Sequence, residues 1–483
     1  MGRLLSSRAR ARSAAALLAG LGLAAGCHSS LRPGLPGPLP ERPSQPVALP
    51  APTPAAERAP VELPADWPEL ATRLTLADVV DIALSSSPAT RATWLEARAA
   101  AASLGASRAE YYPTLDLNAG LTRTDSTAVG GQFSFLNTSY GPSLALTYLL
   151  FDFGGRGARV GEAEATLRAA GFEHNMAIQD VVLEVETAYY RYLESRAQLV
   201  AAEAAVEEAT LNLQAARRRQ EVGVATVADV LQAQTALSRA ELERVRAAGA
   251  IEALRGTLAA AMGLPASTPL EVSELELDLD HPGLTAGVQE LIDQALAQRP
   301  DLAAARSRAE ASARQVDSTR AERWPEISLT SSANRTWYEP GEQADHADSW
   351  SATVLLKLPL FTGFELPFQV EEARERAEQA QVQAEQVGQR VELEVWTAYV
   401  DLKTAAERMA SARDLVASAE QSERVALARY REGVGSILDS LAAQAALAEA
   451  RSEVIAADAD WFVATARLAR ATGTLGPAPE GSP

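Results

Sequence analysis

Few residue groupings in this chain of 483 residues could do chemistry. Glu342, Asp345, His346 and Asp348 put three carboxylates and an imidazole within seven positions. Such a set could bind a cation, and it equally reads as a solvated loop. Asp229 and Asp439 each close a [ST]-x-x-[DE] pattern, in Thr226-Val227-Ala228-Asp229 and Ser436-Ile437-Leu438-Asp439. That is the form of a capping box, in which hydroxyl and carboxylate satisfy the free N–H groups that start a helix. One cysteine excludes an intrachain disulfide or a thiolate metal cluster, and the four histidines form no pair at metal spacing. No phosphate-binding glycine loop is present, since Gly20-Leu21-Gly22 falls in the leader. The chain is therefore expected to be no enzyme and to hold no cofactor and no metal.

Composition narrows the class further. Hydrophobic residues make up 47% but aromatics only 5%, so the apolar material is mostly Ala, Leu and Val, suited to closely packed helices. Charged residues at 22% and a mean hydropathy of −0.08 exclude a polytopic helical membrane protein and wholesale disorder. A formal charge of −19 with no basic patch excludes a nucleic-acid partner.

The N-terminus reads as an export signal. Arg3, Arg8, Arg10 and Arg12 precede an apolar run from Ala14 to Ala25, too short for the ~20 residues of a spanning helix. Leu23-Ala24-Ala25-Gly26-Cys27 resembles a bacterial lipoprotein cleavage site, with Cys27 as the lipid-bearing, palmitate-labelled first residue. The alternative is an ordinary signal peptide with an incidental thiol. His28, rather than an aspartate, follows the cysteine and favours the outer membrane. Removing the leader takes four positive charges, so the mature chain carries −19 − 4 = −23. Twelve prolines between Pro33 and Pro68 preclude a helix and make this stretch an extended tether.

The remainder is one unit written twice. Leu84-Ser85-Ser86-Ser87-Pro88 recurs as Leu296-Ala297-Gln298-Arg299-Pro300, and Tyr112-Pro113 as Trp324-Pro325, both at an offset of 212. Beyond the next loop the offset becomes 210, pairing Thr187-Ala188-Tyr189 with Thr397-Ala398-Tyr399 and Gly223 with Gly433. Each repeat opens with a helical stretch, 75–111 in the first, ended by Pro113. Leu115, Leu117, Ala119 and Leu121 then alternate with polar residues, as do Leu144, Leu146, Tyr148 and Leu150. Ile327 and Leu329, then Trp350, Ala352, Val354, Leu356 and Leu358, repeat the pattern. Strands of ~10–12 residues match the length of a tilted bilayer crossing. Tyr112, Tyr140, Phe151, Trp337, Tyr338, Trp350 and Phe361 sit near their ends, as in an interfacial girdle. Soluble hairpins half-buried on a core would show the same alternation.

The segment after each hairpin speaks against a compact core. Residues 156–221 contain no proline and would form a helix of ~100 Å. Ile178, Val182, Val185, Tyr189 and Tyr192, then Val391, Val395, Ala398, Leu402, Ala405 and Met409, step by threes and fours as a coiled-coil seam. Each long helix reverses at a glycine and returns to about residue 262 or 472. Four strands cannot close a barrel, and unpaired edges in lipid cost several kcal/mol per orphan group. Copies must therefore combine.

With these landmarks, the chain resembles the TolC-like outer-membrane efflux proteins, specifically their lipidated branch. The resemblance rests on the duplication, on Phe151-Asp152-Phe153-Gly154-Gly155 and Phe361-Thr362-Gly363, and on the turns Glu221-Val222-Gly223-Val224 and Tyr430-Arg431-Glu432-Gly433-Val434. It implies a mainly α fold with two β-hairpins per chain. Three copies would build a trimeric 12-stranded transmembrane β-barrel continuous with a long periplasmic α-helical barrel. The chain then divides into a signal peptide (1–26), a lipidated N-terminus and tether (27–68), a first repeat (69–265), a linker (266–284), a second repeat (285–475) and a disordered tail (476–483). The implied function is a passive exit duct of a tripartite efflux or type I secretion system. Its implied partners are itself as a homotrimer, a periplasmic adaptor, an inner-membrane pump and outer-membrane lipid. Asp439 and Asp229 fall at the periplasmic constriction; Ala442 stands where the family often has a second carboxylate. Gly223, Val224, Gly433 and Val434 fall at the adaptor-docking tips. The competing reading is a lipid-anchored periplasmic coiled-coil adaptor or scaffold that does not span the membrane. The transported substrate is not written in the sequence.

Overall fold

The computed structural model describes residues 67, 71, 73–128, 133–273, 287–339 and 346–476, without the side chains of 126–128 and 133–135. The signal peptide, Cys27, nearly all of the tether, most of the acidic linker, Glu342, Asp345 and the end of the tail lie outside the described residues.

Among the described residues, twelve elements follow one another as two copies of one unit. In the first copy these are α1 (Leu76–Ser86), α2 (Pro88–Ala109), β1 (Thr114–Ala128), β2 (Phe133–Phe151), α3 (Gly155–Glu221) and α4 (Val227–Ala261). In the second they are α5 (Val288–Gln298), α6 (Pro300–Ala321), β3 (Glu326–Glu339), β4 (His346–Lys357), α7 (Glu365–Arg431) and α8 (Ile437–Thr472). The helices α2 and α6 have 22 residues each, and α3 and α7 have 67 each. The duplication is thus kept closely in the helices, and the hairpins differ most in length. At ~1.5 Å per residue, α3 and α7 each extend about 100 Å.

One expectation is corrected at the start of each repeat. The stretch 75–111 is not one helix, because Ser87 leaves the helical region at ψ 125 and Pro88 begins a new helix. Proline has no N–H to donate and disfavours the α conformation in the residue before it. Ser87 serves instead as the N-cap of α2, its hydroxyl accepting from the Ala89 N–H at 3.2 Å. Arg299 holds the same place before Pro300.

The strands form one antiparallel sheet in the order β1-β2-β3-β4, leaving β1 and β4 as its edges. They run to 15, 19, 14 and 12 residues, most of them longer than the ~10–12 expected. Residues 123–127 of β1 and 137–139 of β2 are polar on both faces, so periodicity could not reveal them.

The core lies in the helices. One cluster gathers Val79, Val182, Val185, Tyr189, Leu258 and Met262; another gathers Leu302, Val391, Val395, Leu402 and Leu468. In the first seam Val182, Val185, Tyr189 and Tyr192 are buried and Ile178 packs against them. All six seam residues of α7, from Val391 to Met409, are buried. Among the described residues no helix is long and apolar enough to cross a membrane.

The two repeats are joined at mid-helix by charge. Arg299, with a side chain only 2% exposed, meets Asp301 at 2.6 Å and Glu394 of α7 at 2.5 Å. Arg470 of α8 bridges Glu394 at 3.2 Å and Asp180 of α3 at 2.8 Å. Burial pushes the Asp301 carboxyl upward, but hydrogen bonding and charge from Arg299 win and hold it below its ordinary range.

Candidate functional site

The sheet has two faces of opposite character, and its register assigns every residue to one of them. Directly opposed residues share a face. Leu115 lies opposite Leu146, Leu117 opposite Leu144, and Leu121 opposite Tyr140. The row continues from Tyr148 to Leu329 to Val354, and from Leu144 to Ala333 to Trp350. The other face carries Asn118, Ser143 and Asn334, with Glu326 opposite Lys357 at its helical end. The apolar face packs on nothing: Leu117 is 75% exposed and Trp350 81%. Among the described residues, none of the buried core belongs to β1–β4. Hairpins half-buried on a soluble core are thereby excluded. An apolar sheet face of this extent requires an apolar neighbour.

Aromatic rings border this face. Tyr140 stacks on Trp337 with centroids 5.8 Å apart, and β1 beyond Leu121 turns polar. At the helical end Phe151 meets Phe153 at 4.7 Å. Asp348, one member of the possible cation cluster, is held by Arg335 in a two-pronged pair at 2.7 Å on each prong. Among the described residues no group of three or more His, Cys, Asp or Glu could hold a metal ion.

The joint between sheet and helix turns on a residue that no sequence pattern marked. The β2–β3 ladder shifts register between Leu149 and Phe151. Arg156, buried in the first turn of α3, donates Nη1 to the Leu149 carbonyl at 2.8 Å and Nη2 to that of Leu150 at 3.2 Å. Its guanidinium also lies 4.9 Å from the centre of the Tyr111 ring. A buried cation thus satisfies carbonyls at the irregular end of the strand. Its signal was present, as the arginine that directly follows Phe151-Asp152-Phe153-Gly154-Gly155. The second repeat has Leu366 there, so nothing repeated to mark it.

At the opposite end, α3 and α7 reverse through Gly223 and Gly433, both at φ 79, where a side chain would be strained. Val224 and Val434 follow directly and are exposed, as is Val222. The four residues expected at the docking tips therefore occupy two matching turns. The two aspartates behave differently. Asp229 completes its capping box, accepting from the Thr226 N–H at 2.7 Å while the Thr226 hydroxyl accepts from the Asp229 N–H at 3.2 Å. Asp439 does not, which corrects the expectation of two equivalent boxes. Ser436 instead accepts from the Leu438 N–H at 3.1 Å. Gly435, where Ala225 stands in the first turn, is packed so closely on Arg429 and Tyr430 that a Cβ there would stand 2.9 Å from Arg429 Cβ. The Asp439 carboxylate is exposed and takes no part in the cap of α8.

Near these tips the two helical hairpins hold each other through a small apolar plug and polar groups beside it. Ile437 packs with Leu213, Ala216 and Ala233, with Val230, Leu237, Tyr430 and Leu441 partly buried against them, and polar contacts lie beside this plug. Arg219 lies over the Tyr430 ring, and Asn212 donates to Gln444 at 2.9 Å. Gln232 Oε1, Glu423 Oε1, the Tyr430 hydroxyl and Gln444 Nε2 are buried without a hydrogen-bond partner. Such groups make an interface poor in stability and ready to part.

Comparison with known proteins agrees with this geometry. Residues 79–264 and 291–474 match the family model described as outer membrane efflux protein. The protein CyaE of Bordetella pertussis is 32% identical over 413 residues, covering 83% of this chain and 85% of that protein. The outer membrane protein OprJ of Pseudomonas aeruginosa is 29% identical, covering 84% and 86%. The crystal structure of the outer membrane protein VceC from Vibrio cholerae shares the fold, with a TM-score of 0.72 and 24% identity over 83% of this chain and 96% of that one.

Proposed function

The chain belongs to the outer membrane efflux protein family, and on that premise we propose that three copies close their four-stranded sheets into one twelve-stranded barrel. Members of this family are passive outer-membrane conduits rather than enzymes, with a large helical part in the periplasm. They are trimers that work with periplasmic adaptor proteins and inner-membrane pumps, in tripartite efflux and type I secretion systems. This chain is such an outer-membrane channel, and the reading as an adaptor that does not span the membrane is set aside.

The observation that carries the barrel is the sheet with an unpacked apolar face and two unpaired edges. Ring closure between β4 of one copy and β1 of the next satisfies the edge N–H and C=O groups, and lipid covers the Leu, Val and Trp face. The polar face then lines the pore. Lipidation at Cys27 would add a second attachment to the same membrane.

The gate belongs at the tips. Asp439, freed from capping, would form a threefold ring of carboxylates that repel one another and bind cations, with Asp229 held back by its cap. Gly223, Val224, Gly433 and Val434 present small apolar knobs for an adaptor. The cargo is set by the pump and is left open.

Conductance in planar bilayers tests this reading. The purified protein is expected to insert as discrete channels, and Asp439→Ala to lose block by divalent cations. A protein that never inserts would refute the channel. An Asp439→Ala channel with unchanged cation block would refute the acidic ring.

A further inference from the structure

A cleft opens where the sheet gives way to the helices. Phe151 stands opposite Ile327 on the apolar face, and its ring touches Phe153, which stacks on Trp324 at 5.7 Å. Phe153 holds a left-handed backbone at φ 52, unusual for a bulky residue and a sign that the position of its ring matters. Against this aromatic wall lies a space of about 440 Å³, lined also by Gly157, Arg314, Asp317 and Arg320. That size is in the range of small-ligand sites.

The charges of this cleft are not spent internally. Arg314 reaches Glu310 only at 4.0 Å, and Glu310 is already held by Arg168 at 2.6 Å. Arg320 meets Asp317 at a long 3.4 Å through one nitrogen. Two guanidinium groups against one carboxylate leave a net positive charge and most N–H donors open. Gly161 makes room for the stem of Arg314, since a Cβ there would stand 3.3 Å from Arg314 Cδ.

We propose that this cleft binds the phosphate of an anionic glycerophospholipid from the periplasmic leaflet, with the acyl chains along Phe151 and Ile327. The proposal rests on the sheet being embedded in the outer membrane. Its wall continues the lipid-facing surface just beyond the strand ends, the depth at which headgroups and aromatic belts meet. Arginine is suited to phosphate, which accepts two N–H bonds from one planar fork. The site occurs once per chain. At the offset of 212, Arg314 and Asp317 correspond to Ala102 and Gly105, and Arg320 to Arg108, which is bound to Glu164 at 2.8 Å. A trimer therefore takes three such lipids.

Native mass spectrometry of the detergent-purified full chain, titrated with palmitoyl-oleoyl phosphatidylglycerol, tests this. Binding is expected to step at three lipids per trimer. Arg314→Ala with Arg320→Ala should weaken it at least tenfold while conductance stays unchanged, and the corresponding pair of lysines should retain most of it. Phosphatidylglycerol brominated on its chains should quench tryptophan emission, and Trp324→Phe should remove part of that quenching. Unaltered lipid binding in the double alanine variant overturns the site. Competition by glycerol 3-phosphate at equal concentration also overturns it, marking a site for dissolved phosphate. A trimer that conducts but takes up no phosphatidylglycerol overturns the lipid site alone, whereas a chain that never inserts overturns the channel reading and the site with it.

Discussion

Arg219 lies with its guanidinium carbon 4.5 Å from the centre of the Tyr430 ring and donates Nη1 to the Tyr430 carbonyl at 2.9 Å. This clasp joins the last turn of α3 to the last turn of α7, and an opening of the proposed gate that parts the two hairpins would have to break it.

Breaking the clasp should favour the open tip. A cation–π contact and a charge-assisted hydrogen bond together stabilise by about 1–2 kcal/mol, roughly a tenfold change in an equilibrium. Arg219→Ala is expected to raise open probability or mean conductance in planar bilayers, with Arg219→Lys between it and the unaltered protein. Identical single-channel records for all three would show that the clasp does not bear on opening.

The same interface should respond to pH. Burial, reinforced by the charge of Glu423, pushes the Glu208 carboxyl above its ordinary value, against the pull of Arg451. Because the folded value is raised, the charged form is the disfavoured one. The packing is therefore firmest below the ordinary carboxylate range and weakens as pH rises through the raised value. Hydrogen exchange in α3 and α7 near the tips, corrected for intrinsic rates, should quicken as pH rises from the ordinary carboxylate range, about 4.3, towards neutrality. Glu208→Gln should flatten that trend; a trend that persists unchanged contradicts it.

Within the sheet, two glycines that face each other should differ sharply on substitution. Gly120 and Gly141 are paired across β1 and β2. A Cβ on Gly120 would meet nothing within 4 Å, whereas one on Gly141 would stand 1.9 Å from the Arg335 carbonyl oxygen. Gly120→Ala should leave trimer yield and thermal dissociation unchanged. Gly141→Ala should force β2 from β3 and cost about 3 kcal/mol or more, in the range of severe backbone and packing disruptions. Equal melting of the two variants on unheated and heated gels would count against this register.

The sequence showed some of this architecture directly and left other parts unreadable, for physical reasons. The α3 and α7 seams were legible because Val182, Val185 and Tyr189, and Val391, Val395 and Leu402, repeat at helical spacing over many turns. The strands were legible only where one face is apolar, so β2 was visible from Ser143 to Leu150 but not at Asn137 and Thr138. The break at Ser87 rests on a proline seen in the sequence as a repeat landmark. Asp229 and Asp439 looked alike because a four-residue pattern does not register which N–H the cap hydroxyl takes: Thr226 takes that of Asp229, Ser436 that of Leu438. Arg156 and Arg219 act through carbonyls and rings that no local spacing announces.

The channel depends on the difference between the two faces of its sheet, and collision measurements on spin-labelled protein in lipid vesicles probe that difference most directly. Labels at Leu117, Leu144 and Val354 should collide with oxygen dissolved in the bilayer and be shielded from a water-soluble nickel chelate. Labels at the neighbouring Asn118, Ser143 and Thr353 should show the reverse. Equal exposure of both sets to the chelate would contradict the barrel, because the apolar face would then be in water.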